Sequence, residues 1–221
     1  MTTELAYILD RSGSMASMQE PAVAAFNQFV KDQLDVPGEA RLTLVQFDDQ
    51  YEVPISALPV EKVPELTAAT YTPRGSTALL DAIGRTIKET DRRLQALPET
   101  ERPTKVILVI FTDGMENASQ EYTSRHISDL IALYRKEKGW EFIFLAANQD
   151  AIATATAMQM DASLSSNVDF KRSSIRSTGS AMSRKVRAMR MKISGTMDAQ
   201  ALNDEALSME QIVQEEDQKQ E

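Results

Sequence analysis

The chain has 221 residues, with 24 Lys and Arg against 33 Asp and Glu, a formal charge of −9 and no cysteine. That length suits one α/β domain with a sizeable core and a tail, and is short for two full domains. The acidic balance argues against a general nucleic-acid binder, which needs cations to neutralise phosphates, and the missing cysteines exclude disulfides, thiolate catalysis and cysteine-held zinc.

The opening "MTTELAYILD" has no basic n-region, and its apolar run is too short for an export signal. No apolar segment approaches the roughly 20 residues that span a bilayer. A cytoplasmic protein with no membrane partner is the expectation. Within this opening, "ELAYIL" (4–9) reads as a buried strand that ends in Asp10, with Ser12, Gly13 and Ser14 close behind. Val23, Phe26, Val30 and Leu34 then share one helical face, with Pro21 near the helix start. "RLTLVQF" (41–47) is a second strand. "YEVPIS" (51–56) follows so closely that only a hairpin fits, and its Pro54 confines it to an antiparallel edge.

Leu79, Ile83, Ile87 and Leu94 form a second helical stripe that should stop before Pro98. "KVILVIFT" (105–112) is a strand ending at Asp113. Ile127, Leu130, Ile131 and Tyr134 form a third helix, ended by Gly139. "EFIFLAAN" (141–148) is the next strand, "DAIATATAM" a short helix, and "ASLSS" a short last strand. Continuous rather than alternating hydrophobicity points to strands covered on both faces. The order defines a Rossmann-like, doubly wound α/β fold, with a mostly parallel sheet, one antiparallel edge strand and helices on both faces.

From Lys171 to Lys192 the chain carries Lys and Arg with no acid between them, and Met182, Val186, Met189 and Ile193 line one helical face. This reads as the last helix of a domain spanning 1–192, apolar side inward and charges in water. Residues 193–221 form an acidic tail, partly helical, in which Leu202, Ala206, Met209 and Val213 have helical spacing. The tail is expected to dock on a partner or on its own domain, and to pair with the basic stretch. His126, the only histidine, stands early in the third helix, where a surface or structural role fits better than catalysis.

In a doubly wound sheet, ligands sit beyond the carboxyl ends of the strands, where crossovers leave in opposite directions. Asp10 and Asp113 both end strands. On neighbouring strands, ~4.8 Å apart, they could converge on one ion; separated by another strand, at ~10 Å, they could not. The loop "YTPRGST" (71–77) adds Thr77, just before a helix. Ser12, Ser14 and Thr77 offer neutral hydroxyls, and Asp10 and Asp113 offer anions. An all-oxygen set prefers Mg2+ or Mn2+ over zinc or copper. Taken singly, each has an ordinary explanation: Asp10 as a turn or helix cap, Ser12 and Ser14 as caps of the next helix, Thr77 as an N-cap, and Asp113-Gly114 as a turn. Their shared position at the ligand edge favours a metal.

"DRSGSM" (10–15), "GSTALLDAI" (75–83) and "FTDGMEN" (111–117) resemble the three motifs of the von Willebrand factor type A family, in that family's order. The resemblance covers about residues 3 to 190 and suggests a stand-alone intracellular bacterial or phage type. It implies a metal-ion-dependent adhesion site (MIDAS). Ser12, Ser14 and Thr77 would bind the ion through their hydroxyls, and Asp10 and Asp113 largely through bridging waters. An ion held mainly by neutral oxygens keeps much of its charge and attracts an Asp or Glu of a partner protein. Arg11, Arg74 and Glu116 should flank the site and meet that partner, the arginines by steering it.

The leading expectation is therefore a non-enzymatic, metal-dependent protein-binding module. One rival is a magnesium-dependent phosphatase or phosphotransferase of the haloacid-dehalogenase type, with Asp10 as nucleophile and Thr112 in its second motif. The second acid that this chemistry wants is missing, since position 12 is Ser. Another is an accessory subunit of an ATPase or metal-insertion complex. No Gly-x-x-x-x-Gly-Lys loop occurs, so a partner would have to bring the nucleotide.

Overall fold

The structure is a computed structural model that describes residues 1–113, 115–146, 151–167 and 172–219. Gly114, the end of the expected "EFIFLAAN" strand, Asp150 at the head of "DAIATATAM", Lys171 and Glu221 lie outside the described residues.

Among the described residues, six strands form one sheet: β1 (Thr2–Asp10), β2 (Glu39–Phe47), β3 (Tyr51–Pro59), β4 (Lys105–Thr112), β5 (Glu141–Ala146) and β6 (Ser165–Asn167). Their order is β3-β2-β1-β4-β5-β6. β1 is central and runs parallel to both β2 and β4, while β3 pairs antiparallel with β2 at the edge. Pro54 thus lies on the edge strand, where a missing N–H does no harm.

Among the described residues, seven α-helices accompany the sheet: α1 (Gln19–Leu34), α2 (Leu79–Gln95), α3 (Ser124–Lys138), α4 (Ala151–Ala157), α5 (Arg172–Ser194), α6 (Ala199–Ala206) and α7 (Met209–Gln218). The period-2 geometry of β1 divides its apolar run between two cores. Leu5, Tyr7 and Leu9 pack with Phe26 and Phe29 of α1 and Met182 and Val186 of α5. Ala6 and Ile8 pack with Ile83 and Ile87 of α2 and Ile127 and Ile131 of α3. Tyr7 meets Phe26 and Phe29 edge-on, both at 5.2 Å between ring centres. Gly139 ends α3 in the left-handed region, at φ 63°, as a C-terminal glycine does.

The helical spacing of Leu202, Ala206, Met209 and Val213 runs across a break, and the chain forms two helices, α6 and α7. Ser208 and Gln211 form a reciprocal capping box that starts a new helix. Met209, Ile212 and Val213 join the core beneath α5, whereas Leu202 is exposed.

Against expectation, not all charges of α5 face water. Lys185 is buried and donates to the carbonyls of Asp204, Glu205 and Leu207, at 2.9, 2.9 and 2.5 Å. Arg190 is buried and donates to the carbonyls of Gln33, in the last turn of α1, and Gly38, just before β2, at 2.8 and 2.9 Å. Each long cation satisfies helix-end carbonyls, which is what makes its burial tolerable. Arg184 is a hub, pairing with Asp204, Glu215 and Glu216 at 2.5, 2.7 and 2.7 Å.

Asp204 is fully buried. Arg184→Ala removes its ion-pair partner and is expected to lower the unfolding free energy by about 3 kcal/mol. The measurement is the urea midpoint at unchanged m-value. A loss near the ~0–1 kcal/mol of an exposed pair would show that the hub does not hold the C-terminal helices.

Candidate metal centre

β1 and β4 are neighbours, in a register that sets Leu9 beside Phe111. One step on, Thr112 donates its hydroxyl to Asp10 Oδ2 at 2.5 Å. The other oxygen, Oδ1, accepts the Ser12 backbone N–H at 2.7 Å. Asp10 is fully buried, and its carbonyl accepts the Tyr71 hydroxyl at 2.5 Å. β1 leads to α1 in one core and β4 leads to α3 in the other. The turn after Asp10 therefore occupies the topological switch point of the sheet.

A 3-10 turn, Gly13–Met18, follows, and Ser12 stands at its N-cap without a side-chain capping bond. Its hydroxyl is instead 3.0 Å from the Ser14 hydroxyl and 3.4 Å from Asp113 Oδ1. Ser14 donates to the same carboxylate oxygen at 2.8 Å. Asp10, Ser12, Ser14 and Asp113 thus belong to one hydrogen-bonded cluster.

Thr77 reaches the same rim through its loop. Gly13 N–H donates to the Gly75 carbonyl at 3.1 Å, and Arg74 N–H to the Arg11 carbonyl at 2.7 Å. Gly75 has φ 66°, and a Cβ there would come within 2.1 Å of Asp49 Oδ1, so the loop needs glycine at this point. Thr77 is buried and does not cap α2. The capping position is Ala78, with no side-chain bond. Thr77 N–H donates to Asn117 Oδ1 at 2.9 Å, and its carbonyl accepts from Asn117 N–H at 3.0 Å.

Burial is the largest influence on Asp113 and raises its pKa from 3.8 to about 6. That net value already includes the Asp10 charge, which also raises it, and the bonds from Ser14 and Ser12, which lower it. Nearby guanidinium groups are engaged elsewhere. Arg11 is buried and donates from Nη1 to Glu52 Oε2 at 2.9 Å. Its Nε and Nη2 lie 3.2 Å from Asp48 and 2.7 Å from Glu52, at ion-pair distance but outside hydrogen-bond geometry. Arg74 is half-exposed and binds Asp48 Oδ2 at 2.8 Å and Glu52 Oε1 at 2.9 Å. Glu116 accepts from the N–H groups of Leu80, Ala118 and Ser119 at 2.9, 3.0 and 2.8 Å, holding the first turn of α2 from outside. All three residues expected at the partner surface therefore have internal bonds.

The donor chemistry fits a hard cation. Every candidate donor is oxygen, and a carboxylate held partly out of water is made costly to ionise by burial and a second acid. Among the described residues there is no group of three or more His, Cys, Asp or Glu disposed for a metal. Thr112 as partner of Asp10, Tyr71 beneath the turn, and Asn117 against Thr77 were not expected from sequence in these roles. The only advance signal was the polar run "MENAS" after Asp113-Gly114, which suits a backbone-binding turn.

The architecture is a doubly wound α/β domain with a hydroxyl–carboxylate cluster at its switch point. The von Willebrand factor type A domain family matches residues 4–184, and the chain belongs to that family. Similar solved structures include the von Willebrand factor type A protein from Catenulispora acidiphila, at 14% identity and TM-score 0.57, covering 85% of this chain and 43% of that one. Proximal thread matrix protein 1 from the mussel byssus, solved with a zinc-occupied MIDAS motif, is similar at 16% identity and TM-score 0.51, over 74% and 40%. The manganese-loaded TRAP protein of Plasmodium vivax is similar at 15% identity and TM-score 0.53, over 76% and 69%. At these identities the likeness shows the fold, and the chain spans less than half the length of the first two. A search of curated protein sequences returns no match.

The raised Asp113 pKa has a definite sign. Its neutral form is favoured in the fold, so the metal-free chain gains stability as pH falls through about 6 toward the unfolded value near 3.8. A carboxyl carbon NMR titration of the metal-free chain should place the Asp113 midpoint near 6, and Asp10→Asn should lower it by less than burial raises it. A midpoint near 3.8 would contradict this electrostatic description.

Proposed function

We propose that Asp10, Ser12, Ser14, Thr77 and Asp113 form a MIDAS that holds Mg2+ or Mn2+ and captures an Asp or Glu side chain of a partner protein. The observation that carries this reading is the meeting of the Ser12 and Ser14 hydroxyls at Asp113 Oδ1. Metal-occupied structures of two similar proteins, one with zinc in a MIDAS motif and one loaded with manganese, support it as well. Von Willebrand factor type A domains are commonly metal-dependent binding modules.

Ser12, Ser14 and Thr77 would contact the ion through hydroxyl oxygens, and Asp10 and Asp113 through bridging waters. The ion, when bound, supplies a concentrated positive charge that neutral ligands leave largely uncancelled. Asp10 orients the Ser12 N–H and hence the turn, and Asp113 holds both serine hydroxyls. An external carboxylate then has a charge to meet, while the chain itself performs no bond-breaking step. The phosphatase reading loses support because both Asp10 oxygens are hydrogen-bonded and the side chain is fully buried. A nucleophilic carboxylate has to reach its substrate.

Thermal unfolding with Mg2+ or Mn2+ against EDTA tests the reading. A metal at a hundredfold excess over its dissociation constant adds about 2.7 kcal/mol of stability. The wild-type midpoint should rise accordingly, and the Asp10→Ala, Ser12→Ala double variant should lose the rise. An equal response in both proteins would place the metal elsewhere. No response in either would remove the proposal.

A further inference from the structure

Asn117 lies four residues after Asp113 on the segment that leaves β4, and it grips Thr77 at both backbone groups. Its Oδ1 accepts the Thr77 N–H at 2.9 Å, and its own N–H donates to the Thr77 carbonyl at 3.0 Å. Together the two bonds close a ring between the segment that carries Asp113 and the loop that carries Thr77. Ala118 N–H adds a bond to the same carbonyl at 3.2 Å. Thr77 precedes the cap of α2, so no helical register fixes its backbone. Glu116 and Ser119 serve the helix instead. Glu116 accepts from Leu80 N–H at 2.9 Å, and Ser119 Oγ accepts from Asp81 N–H at 3.1 Å.

The geometry points to Asn117 as a positioning residue: by clamping the Thr77 backbone, its side chain sets where the Thr77 hydroxyl stands relative to the Asp113 carboxylate. This rests on the metal reading above. The direction of a threonine side chain follows from its backbone angles and a narrow choice of χ1. A binding constellation works only when its donors are held within about 0.5 Å of the productive geometry. With the Asn117 side chain removed, one of the two ring bonds is lost, and the loop between Gly75 and Ala78 can rotate Thr77 out of place. Asn117 is exposed, so its truncation opens no cavity in the core.

The test is a double-mutant cycle on the full chain. Mn2+ affinity is read from the loss of the free-ion paramagnetic resonance signal on titration. Outer partners of metal ligands typically change affinity 10–100-fold, so Asn117→Ala should weaken Mn2+ binding about tenfold. Thr77→Ala removes the hydroxyl and keeps the backbone clamp. In that background there is nothing left to position, and Asn117→Ala should change affinity by less than about twofold. Undiminished affinity of Asn117→Ala overturns the inference. So does a tenfold loss in both backgrounds, which would mean that Asn117 acts by a route other than Thr77. Failure of the underlying metal reading looks different: the wild-type chain shows no saturable Mn2+ binding, or Asp10→Ala binds Mn2+ as well as wild type does.

Discussion

The Thr112 hydroxyl donates to Asp10 across the boundary between β1 and β4, and the whole top of the sheet is organised from that contact. It exists only because the two strands are adjacent. One carboxylate oxygen accepts from Thr112, and the other accepts the Ser12 N–H at the start of the 3-10 turn. The turn then delivers Ser12 and Ser14 to Asp113, one residue beyond Thr112. Hydrogen bonds in such a dry setting are electrostatically stronger than in water, and an unmet partner there is correspondingly expensive. Inserting one strand between β1 and β4 would open the gap to ~10 Å and undo every later step.

The distribution of charge sets this corner apart. Arg11 and Arg74 face Asp48 and Glu52; Arg93 faces the buried Glu4; Arg184 collects Asp204, Glu215 and Glu216. At the top of the sheet, Asp113 is influenced by burial and the Asp10 charge, opposed by two serine hydroxyls and a backbone hydrogen bond. Burial and like charge push one way, and the hydroxyls only partly push back. A hard cation would reverse that balance, which is the electrostatic reason for reading the cluster as a metal site rather than as a set of caps.

Much of the frame was legible in the residues. Continuous apolar runs marked the parallel strands because both faces are covered, and Pro54 marked the edge. Gly139 marked the end of α3. The apparent capping role of Thr77 dissolves because the cap position falls on Ala78 and Thr77 is held by Asn117 instead. Other features were hidden for a common reason: they are polar contacts across long sequence separations, which periodicity does not record. Asn27 bonds both backbone groups of Leu66, and Gln19 bonds the carbonyls of Ala68 and Tyr71, ordering a loop without regular structure. Arg11 looks like a surface cation in sequence and is buried against two acids. The break between α6 and α7 was encoded locally in Ser208 and Gln211, but the apolar spacing that runs through it conceals it.

The central claim is that five oxygen-bearing side chains from three segments surround one ion. An anomalous difference map from a crystal of the full chain grown with Mn2+ tests it most directly. The account predicts a single strong peak at ~2.1 Å from the Ser12 and Ser14 hydroxyl oxygens, with Thr77 in contact and Asp10 and Asp113 around it. A map with no peak there, or with the manganese bound only at carboxylates elsewhere on the surface, would contradict it.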